Sequence, residues 1–409
     1  MDGLYHRGCQ RITTMSAELI ARRNNNIKPF YVMELTKRVR ALQAAGHDVI
    51  RLNVGEPDFA PPPPVLRALE RALTSDVNSY TDARGLYSLR VRIAEDYYHR
   101  RFGLNIAPER IVITMGASAA LVLACAALVE PGAMVLMPDP CYPCNRHFVA
   151  AFDGEAQLVS VGPEERFQLT TQTVVANWTA RTRGVLITSP SNPTGTAIGK
   201  NELRQLIGAV QQRNGFVIVD EIYQGLTYSG QTYSALGLDD NVIVVNSFSK
   251  YFNMPGWRLG WMVAPEWLVG TLDKLSQNLF TCAPTPLQHA ALACFEPDTL
   301  VIYEQRKQEF KRRRDYIVPA LQGLGFVVPV VPDGAFYVYA DCSKFSNDSD
   351  AFSTEVLQGA GVAVAAGKDF GFTHPERYLR FSYANSFENL ERAVFQLHKY
   401  LASDAVTCA

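Results

Sequence analysis

Between about residues 85 and 265 the chain alternates short, uninterrupted apolar runs with longer stretches of helical spacing. Gly184-Val-Leu-Ile-Thr188, Phe216-Val-Ile-Val219 and Val242-Ile-Val-Val245 lack polar alternation. Each predicts a strand buried on both faces, as in a parallel sheet. Ile111-Val-Ile-Thr114 and residues 133–137 predict two more, the second broken by Pro138-Asp-Pro140. Residues 117–129 are apolar all round and predict a buried helix stopped at Glu130-Pro-Gly132. Residues 201–212, apolar at Leu203, Leu206, Ile207 and Val210, predict an amphipathic crossover helix. Together they predict an α/β domain with a mostly parallel or mixed sheet between helices.

The pattern changes after about residue 285. A long helical stretch to about 322 contains Lys311-Arg-Arg-Arg314, expected to be a solvated helix face. Apolar runs at 325–331 and 335–339, a helix near 350–359, a strand Tyr378-Leu-Arg-Phe-Ser382 and a last helix to about Leu401 follow. This reads as a smaller α+β lobe. The expected division is a large domain over 51–285, a small domain over 286–409, and residues 1–50 folding back onto the small one. Pro61 to Pro64 predicts a rigid extended corner.

A length of 409 residues fits this two-lobed division. Lys and Arg total 39 against 40 Asp and Glu, so no basic face for nucleic acid is expected. The longest apolar run, residues 117–129, is short of the roughly 20 residues of a membrane span. The first residues are polar and basic, with no apolar core of a secretion signal, and Met15 is a second possible start. Eight scattered cysteines suit the cytoplasm. Cys141-Tyr-Pro-Cys144, with His147 beyond, lacks the second pair that a zinc site requires and is expected to be two small residues at a turn.

Candidate chemistry collects at strand ends. Lys250 closes Asn246-Ser-Phe-Ser-Lys250 at the carboxyl end of an apolar strand, where α/β sheets bind ligands. A lysine desolvated there can form a Schiff base. Arg258, in Gly256-Trp-Arg-Leu-Gly260, could supply a fixed cation for a phosphate. Gly116-Ala-Ser118 lies between a strand and a helix start, a second anion cradle. Asp220-Glu-Ile-Tyr223 and Ser189-Pro-Ser-Asn-Pro-Thr-Gly195 end two further strands.

The set Ser-Asn-Pro-Thr-Gly, Asp-x-x-Tyr thirty residues before the lysine, Ser-x-Ser-Lys and the following arginine resembles the fold-type I, class I/II pyridoxal-phosphate aminotransferases of the aspartate aminotransferase superfamily. The resemblance runs from about residue 28 to the end. It implies pyridoxal 5′-phosphate held at Lys250, with Lys250 also moving the proton. Asp220 would keep the pyridine nitrogen protonated, Tyr223 and Asn192 would bond the ring oxygen, and Tyr142 would stack on the ring. Ala117, Ser118, Ser247 and Arg258 would hold the phosphate. Tyr80 of one subunit would complete that site in the other, so a homodimer is expected. Gly55 would line the substrate site and Arg380 would clamp the α-carboxylate.

Two features bear on the substrate. Residues 278–284 carry no cation for a distal carboxylate, and Ser118 stands where another branch of the family has a lysine. Phe30 and Tyr31 occupy the segment expected to meet the substrate side chain. An aromatic lining without a fixed cation favours neutral side chains, so the expected activity is on neutral or hydrophobic amino acids, with glutamate and 2-oxoglutarate as the second pair. Arg22, Arg23, Lys28 or Arg38 could supply a cation and make the substrate a dicarboxylate. The same scaffold also suits a pyridoxal-phosphate lyase. The cofactor-sensing part of a transcription regulator is a further reading, but no DNA-binding pattern precedes Glu56.

Overall fold

The three runs without polar alternation become adjacent strands. The computed structural model describes residues 19–29, 31–75, 77, 79–230 and 232–403. Strand β1 (Ile50–Arg51) stands apart from the main sheet, which contains β2 (Ile111–Thr114), β3 (Met134–Asp139), β4 (Glu155–Ser160), β5 (Thr182–Thr188), β6 (Phe216–Asp220), β7 (Ile243–Ser247) and β8 (Gly260–Val263). Their order is β2-β8-β7-β6-β5-β3-β4. All neighbours run parallel except β8, which is antiparallel to both β2 and β7.

Helices on both faces explain why these strands are apolar at consecutive positions. Helices α1 (Tyr31–Ala44) and α2 (Pro63–Thr74) precede the sheet, and α3 (Gly116–Leu128) and α4 (Lys200–Gln211) alternate with its strands. On one face Ile218, Ile243 and Val245 meet Ala120, Leu121 and Ala124 of α3. On the other, Val217, Val219 and Val244 join the core that includes Leu203, Leu206 and Ile207 of α4. Truncating a residue such as Ile218 to alanine would cost about 2–5 kcal/mol.

A second sheet follows the long helix α5 (Pro297–Leu324). It orders β11 (Ala365–Ala366), β12 (Tyr378–Ser382) and β9 (Tyr337–Asp341), all antiparallel. β1 pairs in parallel with β10 (Val362–Ala363), and Val39 of α1 packs with Leu357 and Ala363. The N-terminal segment is thereby joined to the C-terminal one. No helix among the described residues is long and apolar enough to cross a membrane.

Three expectations are corrected, and one apolar run left unassigned proves irregular. The helical stretch from 285 is not continuous: a helix at Thr285–Ala291 and a short turn end at Glu296, and Pro297 starts α5. Proline is tolerated there because the first N–H of a helix has no partner. By the same reasoning Pro63 and Pro64 open α2, and only Pro61 and Pro62 stay extended. The run 325–331 forms no strand; its Val327 makes one isolated bridge to Asp341. The basic run is solvated only in part. Arg313 and Arg314 are buried, Arg313 pairing with Asp58 at 2.7 Å and Arg314 donating to the Pro332 carbonyl at 3.0 Å.

Candidate active site

The carboxyl ends of β5, β6 and β7 deliver Asn192, Asp220 and Lys250 to one cavity of about 270 Å³. Parallel strands with helices on both faces leave this edge open, and the turns leaving it carry polar residues. Gly55, Ala117, Ser118, Tyr142, Tyr223, Ser247, Arg258 and Arg380 line the same cavity.

At its centre the Lys250 ammonium donates to the Gly55 carbonyl at 2.6 Å. Burial pushes its pKa down to about 8; Arg380 and Arg258 act in the same direction, while Glu56 and Asp220 oppose them. Burial likewise raises the Asp220 carboxyl to about 7, although the Ile222 N–H and Lys250 favour its anion. The two groups are poised for proton chemistry near neutral pH. Tyr223 shares a 2.8 Å hydrogen bond with Tyr337, and burial holds its hydroxyl well above the usual phenol range.

Ala117, Ser118 and Arg258 come together in one part of the cavity lining, with Gly116 against Arg258. Gly116 begins α3 with φ of +82°, and a side chain there would lie 2.6 Å from Arg258 Nη2. Only glycine permits both the backbone conformation and the approach. At Gly260 the close approach alone requires glycine, since a Cβ would sit 2.9 Å from the Ala117 nitrogen. Arg258 is itself held at φ of +53° and anchored to the Pro255 carbonyl at 3.0 Å. Ser247 Oγ bonds Ser249 Oγ at 2.9 Å beside them.

Arg380, Asn192 and Tyr337 meet in another part of the lining. Arg380 is buried, its Nη1 donating to Asn192 Oδ1 at 2.9 Å and its Nη2 to the Asn53 carbonyl at 2.7 Å. The Tyr337 and Phe370 rings lie 4.5 and 4.8 Å from its guanidinium carbon. Its Nε is buried with no partner among the described residues. A buried cationic donor left unpaired is costly, and a bound carboxylate would remove the cost. A cradle with a fixed cation, a lysine whose pKa burial lowers and a buried carboxyl in the same cavity fit a phosphorylated cofactor with a carbonyl and a basic ring nitrogen.

Several expected residues lie elsewhere. Tyr31 does not line this cavity: it is exposed, and it borders a separate depression with Lys368 and Asp350. Asp369 accepts its backbone N–H and starts α1 there, so Val32, Met33 and Thr36 of that helix face the cavity instead. Phe30 lies outside the described residues. Tyr80 is 81% exposed and borders a different depression with Asp82 and His289. Of the expected N-terminal cations none lines the cavity; Arg23 pairs with Asp153 and Arg38 borders the depression of Tyr31.

Sequence reasoning missed Tyr337, Met33, Thr36, Arg40, Arg51 and Glu56, all of which line the cavity. A signal exists for Tyr337, whose strand is predicted by its apolar run, but the run does not reveal which face points inward. Cys141 is buried and carries a free thiol that burial raises to about 12, so it is unreactive. Among the described residues no group of three or more His, Cys, Asp or Glu could hold a metal ion.

Residues 47–397 match the family model for aminotransferase class I and II. A valine–pyruvate aminotransferase of Mycobacterium tuberculosis is 37% identical over 92% of this chain and 97% of its own length. An aspartate aminotransferase of Thermotoga maritima is 33% identical over 94% and 100%. Among solved structures, an aminotransferase from Mycobacterium tuberculosis superposes with a TM-score of 0.90 at 37% identity, covering 93% of this chain and 98% of that one. The aspartate aminotransferase from Thermus thermophilus with maleate gives 0.88 at 31%, covering 93% and 99%.

Proposed function

The chain belongs to the class I and II aminotransferases, which use pyridoxal phosphate, and from that premise we propose that it moves the amino group of a neutral or hydrophobic L-amino acid to a 2-oxo acid, with glutamate and 2-oxoglutarate as the second pair. The observation that carries this reading is the cavity wall: Val32, Met33, Val54 and Leu121 line it together with Arg380 and Lys250. An apolar wall beside a carboxylate anchor suits an amino acid with an apolar side chain. The name of the valine–pyruvate relative is consistent with it.

When bound, the cofactor supplies a carbonyl that captures amines and a ring that draws electrons from the substrate Cα–H bond. The chain's own residues supply the rest. The first N–H groups of α3 at Ala117 and Ser118, with Ser247 and Arg258, would hold the phosphate. Tyr142 would stack on the ring, Tyr223 and Asn192 would bond its oxygen, and the Asp220 carboxylate would hold a proton on its nitrogen. Lys250 would anchor the cofactor and, as the free amine favoured by its lowered pKa, would take the proton from the substrate Cα and deliver it to the carbon of the cofactor's carbonyl. Arg380, with an unpaired Nε, would orient the α-carboxylate. Gly55 would keep the approach open, since a Cβ there would lie 3.0 Å from the Tyr337 hydroxyl. Tyr80, exposed in one chain, would complete the phosphate site of a second copy, which makes the enzyme a homodimer.

A second reading, a dicarboxylate aminotransferase, is favoured by Arg40 and Arg51. Both line the cavity, and Arg51 Nε is buried without a partner among the described residues. A half-reaction screen decides between them: the holoenzyme is mixed with single amino acids and loss of its near-visible absorbance is followed. Leucine, valine or phenylalanine reacting faster than aspartate supports the first reading. Aspartate far ahead of all neutral amino acids overturns it.

A further inference from the structure

Residues 369–373 connect three parts of the chain that meet at the cavity. The Phe370 ring packs on the Arg380 guanidinium, 4.8 Å from its carbon to the ring centroid. The Phe370 carbonyl accepts from the Cys141 N–H at 2.9 Å, and the Asp139 carboxylate accepts from the N–H groups of Phe372 and Thr373 at 3.0 and 3.1 Å. The loop is thereby fastened to the turn that carries Tyr142. Its third attachment is Asp369. One carboxylate oxygen accepts the Tyr31 N–H at 3.1 Å, and the other accepts the Val32 N–H at 2.7 Å.

These two N–H groups belong to the first turn of α1, where a helix has no internal acceptors and where a negative charge is favoured. The acceptor comes from the far end of the chain, 337 and 338 residues away in sequence. What the two bonds orient is the cavity wall, because the next residues on that face of α1 are Val32, Met33 and Thr36. One turn further on, Thr36 Oγ1 accepts from Asn53 Nδ2 at 3.2 Å, beside the carbonyl that receives Arg380. Val32 is 7% exposed, so a small rotation of α1 would change what the cavity presents.

We infer that Asp369 is a positioning residue for substrate side-chain recognition. It does not line the cavity, although its carboxylate lies near enough to Arg380 for their charges to interact. It sets the rotation and height of α1 above the cavity, so that Val32 and Met33 face the substrate side chain while the neighbouring Phe370 supports the arginine that takes the α-carboxylate. The inference rests on the reading that this cavity accepts amino-acid side chains.

Its test uses the holoenzyme with D369A and D369N, assayed on alanine and leucine, with hydrogen exchange followed over residues 31–36. D369A should raise KM for leucine at least about fivefold, the scale of a lost cap. KM and kcat for alanine, which barely reaches the wall, should stay within about twofold. D369N, whose amide oxygen still accepts one N–H, should fall between, and amide exchange at Val32 should rise in both. Equal changes for alanine and leucine, or unchanged exchange, overturns the inference. If D369A does not fold, D369N carries the same comparison. A wild-type enzyme inactive on every neutral amino acid overturns the substrate reading instead, and the exchange measurement then decides the role of Asp369 alone.

Discussion

Asn192 and Arg380 stand 188 residues apart in sequence and are joined by a 2.9 Å hydrogen bond inside the cavity. One closes a Pro/Gly turn after β5; the other sits mid-strand in β12 of the second sheet. The bond ties the residue proposed to take the α-carboxylate to one proposed to hold the ring. Arg380 Nε is buried and has no partner among the described residues.

Replacing Arg380 with lysine should therefore raise KM for every amino acid by about tenfold or more, since a point charge cannot reproduce the planar fork. Cofactor affinity should stay near wild type. Equilibrium dialysis and steady-state kinetics together check this; an unchanged KM removes Arg380 from the carboxylate site.

Lys250→Ala should still bind pyridoxal phosphate through Arg258 and the first turn of α3. It should lack the near-visible absorbance of the lysine-bound cofactor and lose turnover by at least about a hundredfold. Retained turnover would assign the proton transfer to another group.

The pH dependence of cofactor capture follows from the lowered Lys250 pKa. Only the free amine reacts, and it becomes the major form above about pH 8. The capture rate of the apoenzyme should rise steeply from pH 6 to 8, about tenfold per unit, and level off beyond. Stopped-flow mixing measures it, and a rate that falls across this range contradicts the proposed state of the lysine.

Asp220 carries the opposite sign. Its folded pKa, about 7, lies above that of an ordinary carboxyl, so the empty protein loses stability as pH rises towards 7 and the buried group ionises. Asp220→Asn should unfold at higher denaturant than the wild-type apoenzyme at pH 8, by a few kcal/mol in order of magnitude. Its turnover should nevertheless fall by about a hundredfold or more. Denaturant titration and kinetics on one preparation test both halves.

Arg51→Met distinguishes the two substrate readings. If Arg51 holds a distal carboxylate, KM for 2-oxoglutarate should rise about tenfold, as for loss of a charge-assisted hydrogen bond. KM for a neutral 2-oxo acid should hold. Equal effects on both acids leave Arg51 outside substrate recognition.

Strand ends are legible in the sequence because parallel strands covered on both faces must be uninterrupted apolar runs. The polar residues that follow such a run mark the edge where ligands bind, which singles out Asp220 directly after one run and Lys250 five residues beyond another. Gly116 and Gly260 are readable for a related reason: close approach of backbone and Arg258 needs small residues. Tertiary structure alone decides the cavity's substrate side. The family resemblance puts Tyr31 there, but the helix that it begins takes its rotation from Asp369, far along the chain, and brings Val32 and Met33 to the cavity lining instead. Arg313 and Arg314 read as a solvated run, yet helical geometry points two of four successive residues at Asp58 and the Pro332 carbonyl. Local pattern records which residues must avoid water. Which buried polar groups meet, and therefore what the cavity accepts, depends on contacts between segments that no local pattern encodes.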